Sequence, residues 1–142
     1  MPVSAAVRPG LARAARAALR AALPALALLA LLGACRGKRE TLERAAAMTG
    51  GDPARGPALM RKYGCVSCHT VPGIRGADAT VGPPLAGIAS RSYIGGVVTN
   101  SPENMIRWIE DPKRIDSLTA MPNTGVTDPD AHHIAAYLYT LR

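Results

Sequence analysis

The sequence has few of the bulky side chains that usually fill a small protein interior. It contains no phenylalanine, one tryptophan and four tyrosines among its 142 residues. Its longest apolar stretch, residues 21–34, is shorter than the ~20 residues that a comfortable transmembrane helix needs. The composition therefore argues against a membrane-spanning helix. It also leaves a small domain short of apolar volume, unless a bound group supplies it.

Acidic residues and extended basic runs are scarce as well. The chain has 17 basic and 10 acidic residues, a formal net charge of +7. Four of the basic residues precede residue 21, so from Cys35 onward the excess falls to +3. There is no long basic run and almost no interleaving of basic and aromatic residues, so no nucleic-acid surface is expected. The remaining positive bias would help to dock an acidic protein surface.

Two of the three cysteines form the motif Cys65-Val66-Ser67-Cys68-His69. C-x-x-C-H is the attachment site of c-type haem. Two thiols on one tight turn can form thioethers to the haem vinyl groups, and the following histidine can supply an axial nitrogen to the iron. A zinc site would need four Cys or His ligands, and a redox disulfide usually lies in a βαβ unit; neither pattern is visible. The motif predicts one covalent haem c.

The amino terminus predicts export. Residues 1–34 combine a basic segment without acidic residues and an apolar stretch, as in a secretory signal peptide. The stretch ends in Leu32-Gly33-Ala34-Cys35, which resembles the bacterial lipobox and implies that Cys35 is lipidated. The alternatives are an ordinary cleaved signal peptide and an uncleaved anchor. We expect the periplasmic side of a bacterial membrane, a flexible tether over residues 35–51, and a single domain over residues 52–142.

Helical periodicity and capping residues predict an all-α domain with three to four helices. One helix opens at Asp52-Pro53 or Gly56-Pro57 and runs to about Tyr63. A second begins at Ser101-Pro102 and stops before Asp111. The last begins at Thr127, with Asp130 as its capping-box partner. Part of the tether, around residues 41–48, is also compatible with a short helix. The long loops in between suit a chain wrapped around a haem, so the apoprotein is expected to be poorly folded.

The iron needs a sixth ligand or an open position, and four later residues qualify. Met105 lies on the apolar face of a helix, where core packing is the simpler role. His132 and His133 are adjacent in a helix, so we expect at most one to face inward and both to be solvated. Met121 lies in a loop that Pro122 stiffens, and His/Met coordination raises the reduction potential. Met121 is the favoured ligand.

With these motifs in place, residues 52–142 resemble class I cytochrome c of the small bacterial monohaem kind. Gly56, Tyr63 and Gly64 before the C-x-x-C-H motif resemble the family's first helix, and Gly82-Pro83-Pro84-Leu85-Ala86-Gly87 resembles its Gly-Pro-x-Leu-x-Gly segment. The resemblance implies that the Pro83 carbonyl accepts a hydrogen bond from His69. It implies that Met121 ligates the iron and that Trp108 lies on the distal side of the haem. It also implies that the last helix crosses the first at Gly56, and that Arg91 and Tyr93 contact the haem propionates.

The function expected from this resemblance is single-electron transfer by a lipid-anchored carrier. Its partners would be a quinol-oxidising complex and a terminal oxidase, met through basic residues for which Lys62, Lys113 and Arg114 are candidates. A fixed subunit of a larger respiratory complex or dehydrogenase is the alternative; otherwise a monomer is expected. A third hypothesis is an enzyme or sensor with an open iron position.

Overall fold

The computed structural model describes residues 36–142, and this part of the chain is mainly helical. Contacts divide the chain between Arg39 and Glu40, and Glu40–Arg142 forms one compact unit. The described helices are α1 (residues 36–49), α2 (Gly56–Lys62), α3 (Pro102–Glu110), α4 (Pro112–Ile115) and α5 (Asp128–Leu138), with 3-10 helices at Cys65–Ser67 and Ile88–Ser90. The all-α prediction is confirmed. No described helix has the length and apolarity needed to span a membrane.

The last helix, α5, is the centre of the packing. Both α2 and α3 pack against it. Ala131, Ala135 and Ala136 in α5 are fully buried, and such short side chains let neighbouring helices approach closely. The crossing of α2 with α5 depends on Gly56, because a Cβ atom there would lie 2.2 Å from Cβ of Tyr137. The expected crossing of first and last helix at Gly56 is present.

The helix starts follow the capping residues in part. Ser101 caps α3, since its hydroxyl accepts a hydrogen bond from the Asn104 amide at 3.2 Å. Helix α2 begins at Gly56 with Pro57 in its first turn, so of the two starts considered the one at Asp52-Pro53 is wrong. Helix α4 was not predicted. It is one short turn that begins directly after α3, with the Asp111 carboxylate accepting from the Arg114 amide at 3.3 Å.

The capping-box role expected for Asp130 is also wrong. The amino end of α5 has no side-chain cap, and the Asp130 carboxylate reaches across to α2. It accepts hydrogen bonds from the Tyr63 hydroxyl at 2.7 Å and from Lys62 Nζ at 3.0 Å. The hydrogen bond from Tyr63 lowers the pKa of Asp130 most, followed by that from Lys62. This polar cluster joins α2 to α5 beside the Gly56 contact.

The segment expected to be a flexible tether departs from that prediction. Residues 36–49 are helical, and Ala45 and Thr49 are buried. Gly51 approaches α5 so closely that a Cβ atom there would lie 2.1 Å from the His132 carbonyl oxygen. Residues 40–51 therefore belong to the compact unit, and the domain begins about twelve residues earlier than predicted.

A two-stranded hairpin, β1 (Tyr93–Ile94) with β2 (Val98–Thr99), was not predicted either. Each strand has only two residues, too few for an alternating pattern to appear in the sequence. The hairpin leads the chain from the loops into α3.

The Gly56 contact predicts the effect of adding a methyl group. Gly56→Ala should destabilise the protein by about 1–3 kcal/mol, as overpacking of a close contact does. Chemical denaturation followed by circular dichroism measures this change. Gly37→Ala is the matched control, because a Cβ atom there meets nothing within 4 Å. Equal stability of the two variants would contradict the close crossing of α2 and α5.

The Asp130 cluster predicts a pH dependence of stability. A carboxyl whose pKa is lowered on folding stabilises the protein above its unfolded pKa, about 3.9 for Asp. That stabilisation is lost as the pH falls through the folded-state pKa. Asp130→Asn should therefore unfold at lower denaturant concentration than wild type at neutral pH, and the difference should shrink below about pH 4. The exposed Asp78, replaced by Asn, serves as the control. A difference independent of pH would exclude this carboxylate as its source.

Candidate cofactor site

A cavity of about 510 Å³ lies between α2, α3, α5 and the loops. This volume is within the range of small-molecule and cofactor sites, about 300–1,000 Å³. Apolar side chains from the three helices line much of it, including Met60, Met105, Ile109, Ile134 and Leu138. Six residues singled out from the sequence also line it: Cys65, Cys68, His69, Pro83, Trp108 and Met121. The seventh, Cys35, lies outside the described residues.

The two thiols lie on one tight turn. Gly64 enters it with a φ of 75°, a left-handed conformation that glycine adopts without strain. The amides of Cys68 and His69 both donate to the Cys65 carbonyl, at 3.3 and 3.1 Å. Cys65 and Cys68 are half-buried free thiols, and burial raises the pKa of Cys65. The turn thus presents two thiols and the following imidazole to one cavity.

His69 is held from behind by the loop of residues 82–87. Its Nδ1–H donates to the Pro83 carbonyl at 2.7 Å, the bond that the resemblance implied. The Gly82 amide donates to the Cys68 carbonyl at 2.7 Å. A Cβ atom at Gly82 would lie only 2.5 Å from Cε1 of His69. With Nδ1 engaged, Nε2 is the ring nitrogen left for a metal, which is how ligating histidines are usually oriented.

The candidate sixth ligands separate by position. Met121 and Met105 line the cavity, Met121 from a loop and Met105 from α3, where it is 2% exposed. The two histidines do not line it. His132 donates from Nδ1 to the Thr49 carbonyl, and Nδ1 of His133 accepts from the Asp52 amide at 2.7 Å. Both histidines are half-buried against residues 49–55 and so only partly solvated.

Trp108 forms the wall of the cavity beside the hairpin. Its side chain is 8% exposed, and Gly95 lies so close that a Cβ atom there would be 2.4 Å from Cη2 of the indole. Arg91 and Tyr93 line the cavity as well. The Arg91 guanidinium donates to the carbonyls of Pro84 and Ala86, a backbone role that the sequence did not suggest.

Asn100 and Tyr139 support the loops around the cavity, and neither was predicted from the sequence. Asn100, between β2 and α3, receives a hydrogen bond from the Tyr139 hydroxyl at 2.7 Å. Burial, with the nearby Glu103 charge, raises the pKa of Tyr139 to about 12, so its hydroxyl is a donor at neutral pH. Neither residue belongs to a sequence motif, and an asparagine next to a helix start resembles any loop residue.

The three basic residues expected to dock a redox partner differ in their surroundings. Lys62 is engaged by Asp130 and by Tyr63, each at 3.0 Å, and the Tyr63 and Asp130 hydrogen bonds raise its pKa. Lys113 and Arg114 lie on the exposed face of α4. The ammonium group of Lys62, expected to dock a partner, is therefore already engaged between α2 and α5.

The chemistry of the cavity fits a covalent haem. Two free thiols on one turn, a histidine with one free ring nitrogen and a methionine sulfur suit the attachment and ligation of haem iron. Within residues 36–142 there is no group of three or more His, Cys, Asp or Glu placed to hold a metal ion, so the zinc interpretation has no ligand set there. Fold and site together define a small all-α haem protein.

Comparison with known proteins specifies the family. The Cytochrome c family model matches residues 53–142. Cytochrome c2 of Rhodopila globiformis is 32% identical over 105 residues, which cover 65% of this chain and 95% of that protein. Cytochrome c oxidase subunit 2 of Alkalihalophilus pseudofirmus is 29% identical over 89 residues, which cover 62% of this chain. The chain spans about a quarter of the length of such oxidase subunits. No solved structure matches.

The chain therefore belongs to the cytochrome c family. It is a class I, monohaem member that binds haem c covalently.

The contact between Gly82 and His69 predicts a variant that acts on the histidine ring. Gly82→Ala should force the ring away from its hydrogen bond with Pro83, because the added methyl group has no space. The absorption and electron paramagnetic resonance spectra of the haem-loaded protein should change, or haem incorporation should fall. Thr80→Ala, at an exposed residue two positions earlier that is not part of the cavity lining, should leave both unchanged. Spectra of Gly82→Ala identical to wild type would contradict the close packing.

Proposed function

We propose that this protein is a lipid-anchored carrier of single electrons in which His69 and Met121 ligate the haem iron. The observation that carries the proposal is the cavity, which has His69 Nδ1 held by Pro83 on one side and Met121 in a Pro-stiffened loop. Cys65 and Cys68 are the proposed thioether residues. Bound haem supplies the one-electron chemistry through the ferric and ferrous states of its iron.

The protein residues keep the site closed and the change on electron transfer small. His69 is oriented by its carbonyl partner, and Met121 is a neutral, soft ligand of the kind that raises the reduction potential. Trp108, Met105 and Ile109 exclude water from one wall. A site with both axial positions occupied has no position for a substrate, which favours electron transfer over the enzyme and gas-sensor alternatives.

Anchoring at Cys35 is supported by the lipobox-like sequence. Export is supported by the same segment, and it agrees with a haem that is attached outside the cytoplasm. With residues 40–51 packed in the domain, Arg36 to Arg39 are the residues between Cys35 and the compact unit.

The relatives favour a carrier, with a complex subunit as the second candidate. Cytochrome c2 of Rhodopila globiformis is matched over 95% of its length, so a protein of this size exists as a complete c-type cytochrome. The oxidase subunits are matched over 25% of their length, which keeps a role in a larger oxidase open.

Docking to a redox partner would use Lys113 and Arg114. Reduction rates that fall as salt is added would support this electrostatic contribution.

The ligand proposal is tested by replacing the methionine. The ferric wild type should be low-spin, and Met121→Ala should open the sixth position, bind carbon monoxide readily and have a lower reduction potential. Met105→Leu is the control, since a volume-conserving change of a core methionine should keep the spectrum. A high-spin wild type, or a Met121→Ala spectrum equal to wild type, would remove Met121 as the ligand.

Purification from the membrane tests the lipid anchor and the carrier role separately. Wild-type protein should be found in the membrane fraction, and detergent should release it without other proteins bound to it. Cys35→Ser should no longer be lipid-anchored and should be absent from the membrane fraction. Release together with other respiratory proteins would favour the subunit alternative. A wild-type protein that washes off the membrane with buffer would contradict the lipid anchor.

A further inference from the structure

Asn100 joins three segments that are distant in sequence. Its side-chain amide donates to the carbonyls of Ile88 and Arg91, both at 2.8 Å. Its Oδ1 accepts from the hydroxyl of Tyr139, directly after α5, at 2.7 Å. Asn100 therefore ties the carbonyls at both ends of the 3-10 helix Ile88–Ser90 to the end of the last helix, and Tyr139 itself is only 6% exposed.

The segment that Asn100 holds in turn holds the loop behind His69. The guanidinium of Arg91 donates to the carbonyls of Pro84 and Ala86, and the amide of Ile88 donates to the Leu85 carbonyl at 3.2 Å. The other side of this loop is bonded to the haem-attachment segment, where the Leu85 amide donates to the Thr70 carbonyl at 2.9 Å. The loop is thus held on two sides.

The chain of hydrogen bonds ends at the imidazole. Pro83 has no amide hydrogen, so its own backbone donates no hydrogen bond that would hold it in place, and the hydrogen bonds of the flanking residues help to position its carbonyl. We propose that Asn100, with Tyr139, is a positioning residue for His69: it fixes the loop that places the Pro83 carbonyl against Nδ1–H. The inference rests on the proposed function, in which His69 ligates the iron. It predicts that a side chain outside the cavity lining sets part of the reduction potential.

The direction of the effect follows from the histidine. A strong hydrogen bond from Nδ1–H makes the imidazole a more basic ligand, which favours the ferric state. A loosened Pro83 carbonyl weakens this bond, so the ferric state loses stabilisation and the potential rises. Loss of a direct hydrogen-bond partner of a ligating histidine lowers metal affinity or activity by about 10–100-fold. A residue one step further away should change the equilibrium constant for reduction by less, about twofold to tenfold.

The test compares two asparagines in the haem-loaded full-length protein. Asn100→Ala should raise the reduction potential and alter the ferric electron paramagnetic resonance spectrum, which reports the orientation of the axial ligands. Asn104→Ala is the matched control, because its side-chain amide donates to the Thr99 carbonyl at 3.0 Å, whereas that of Asn100 donates to Ile88 and Arg91. Its potential should remain that of wild type.

Tyr139→Phe is the gentler variant and carries the test if Asn100→Ala fails to fold. It removes one hydroxyl and should shift the potential in the same direction by less. Combined with Asn100→Ala it should add little, because both changes act on one network. A lowered thermal stability with unchanged potential and spectrum in both variants would overturn the inference and leave a structural role. A lowered potential would overturn it too, since that indicates water entering the cavity.

The same measurements distinguish a failure of the positioning role from a failure of the proposed function. If ferric wild type lacks a low-spin spectrum with histidine ligation, the proposed function fails and this inference with it. If wild type has that spectrum and the Asn100 and Tyr139 variants match it in potential, only the positioning role fails.

Discussion

The hydrogen bond from His69 to the Pro83 carbonyl is the interaction on which the site depends. It selects which ring nitrogen faces the cavity, and it connects two loops that have no regular structure of their own. Around it, the amides of Gly82 and Leu85 bond back to Cys68 and Thr70. The result is a rigid support under the cavity built from backbone groups. Such support suits electron transfer, because little has to move when the charge on the iron changes.

The helices provide the second constraint. Helix α5 contacts α2 through Gly56 and Tyr137, and its alanines leave space for α3. Its polar side chains contact other segments on the outside: Asp130 binds α2, His132 binds the end of α1, and His133 binds the segment that follows α1. With so few aromatic side chains, the fold relies on close backbone approach and polar ties around a cavity that the haem occupies.

Local sequence signals predicted the local features well. The C-x-x-C-H turn and the Ser101 cap involve residues whose chemistry leaves few alternatives, and helical periodicity with capping residues predicted the all-α class. The crossing at Gly56 was implied by the family resemblance. The features that were missed depend on contacts between distant residues. Asp130 had a plausible local role as a cap, but Tyr63, 67 positions earlier, binds it instead. Asn100 and Tyr139 carry no motif at all, and the packing of residues 40–51 depends on a glycine meeting α5.

The central position of α5 has a consequence for the order of assembly. Because a chain is synthesised from its amino terminus, the attachment motif emerges more than fifty residues before the helix that completes the domain. Until α5 follows, α2 and α3 lack their common packing partner, and Cys65 and Cys68 remain on an open segment. Haem attachment at the thiols is then possible before the cavity closes. Because the central helix comes late among the described elements, the domain is completed only after the attachment segment has emerged.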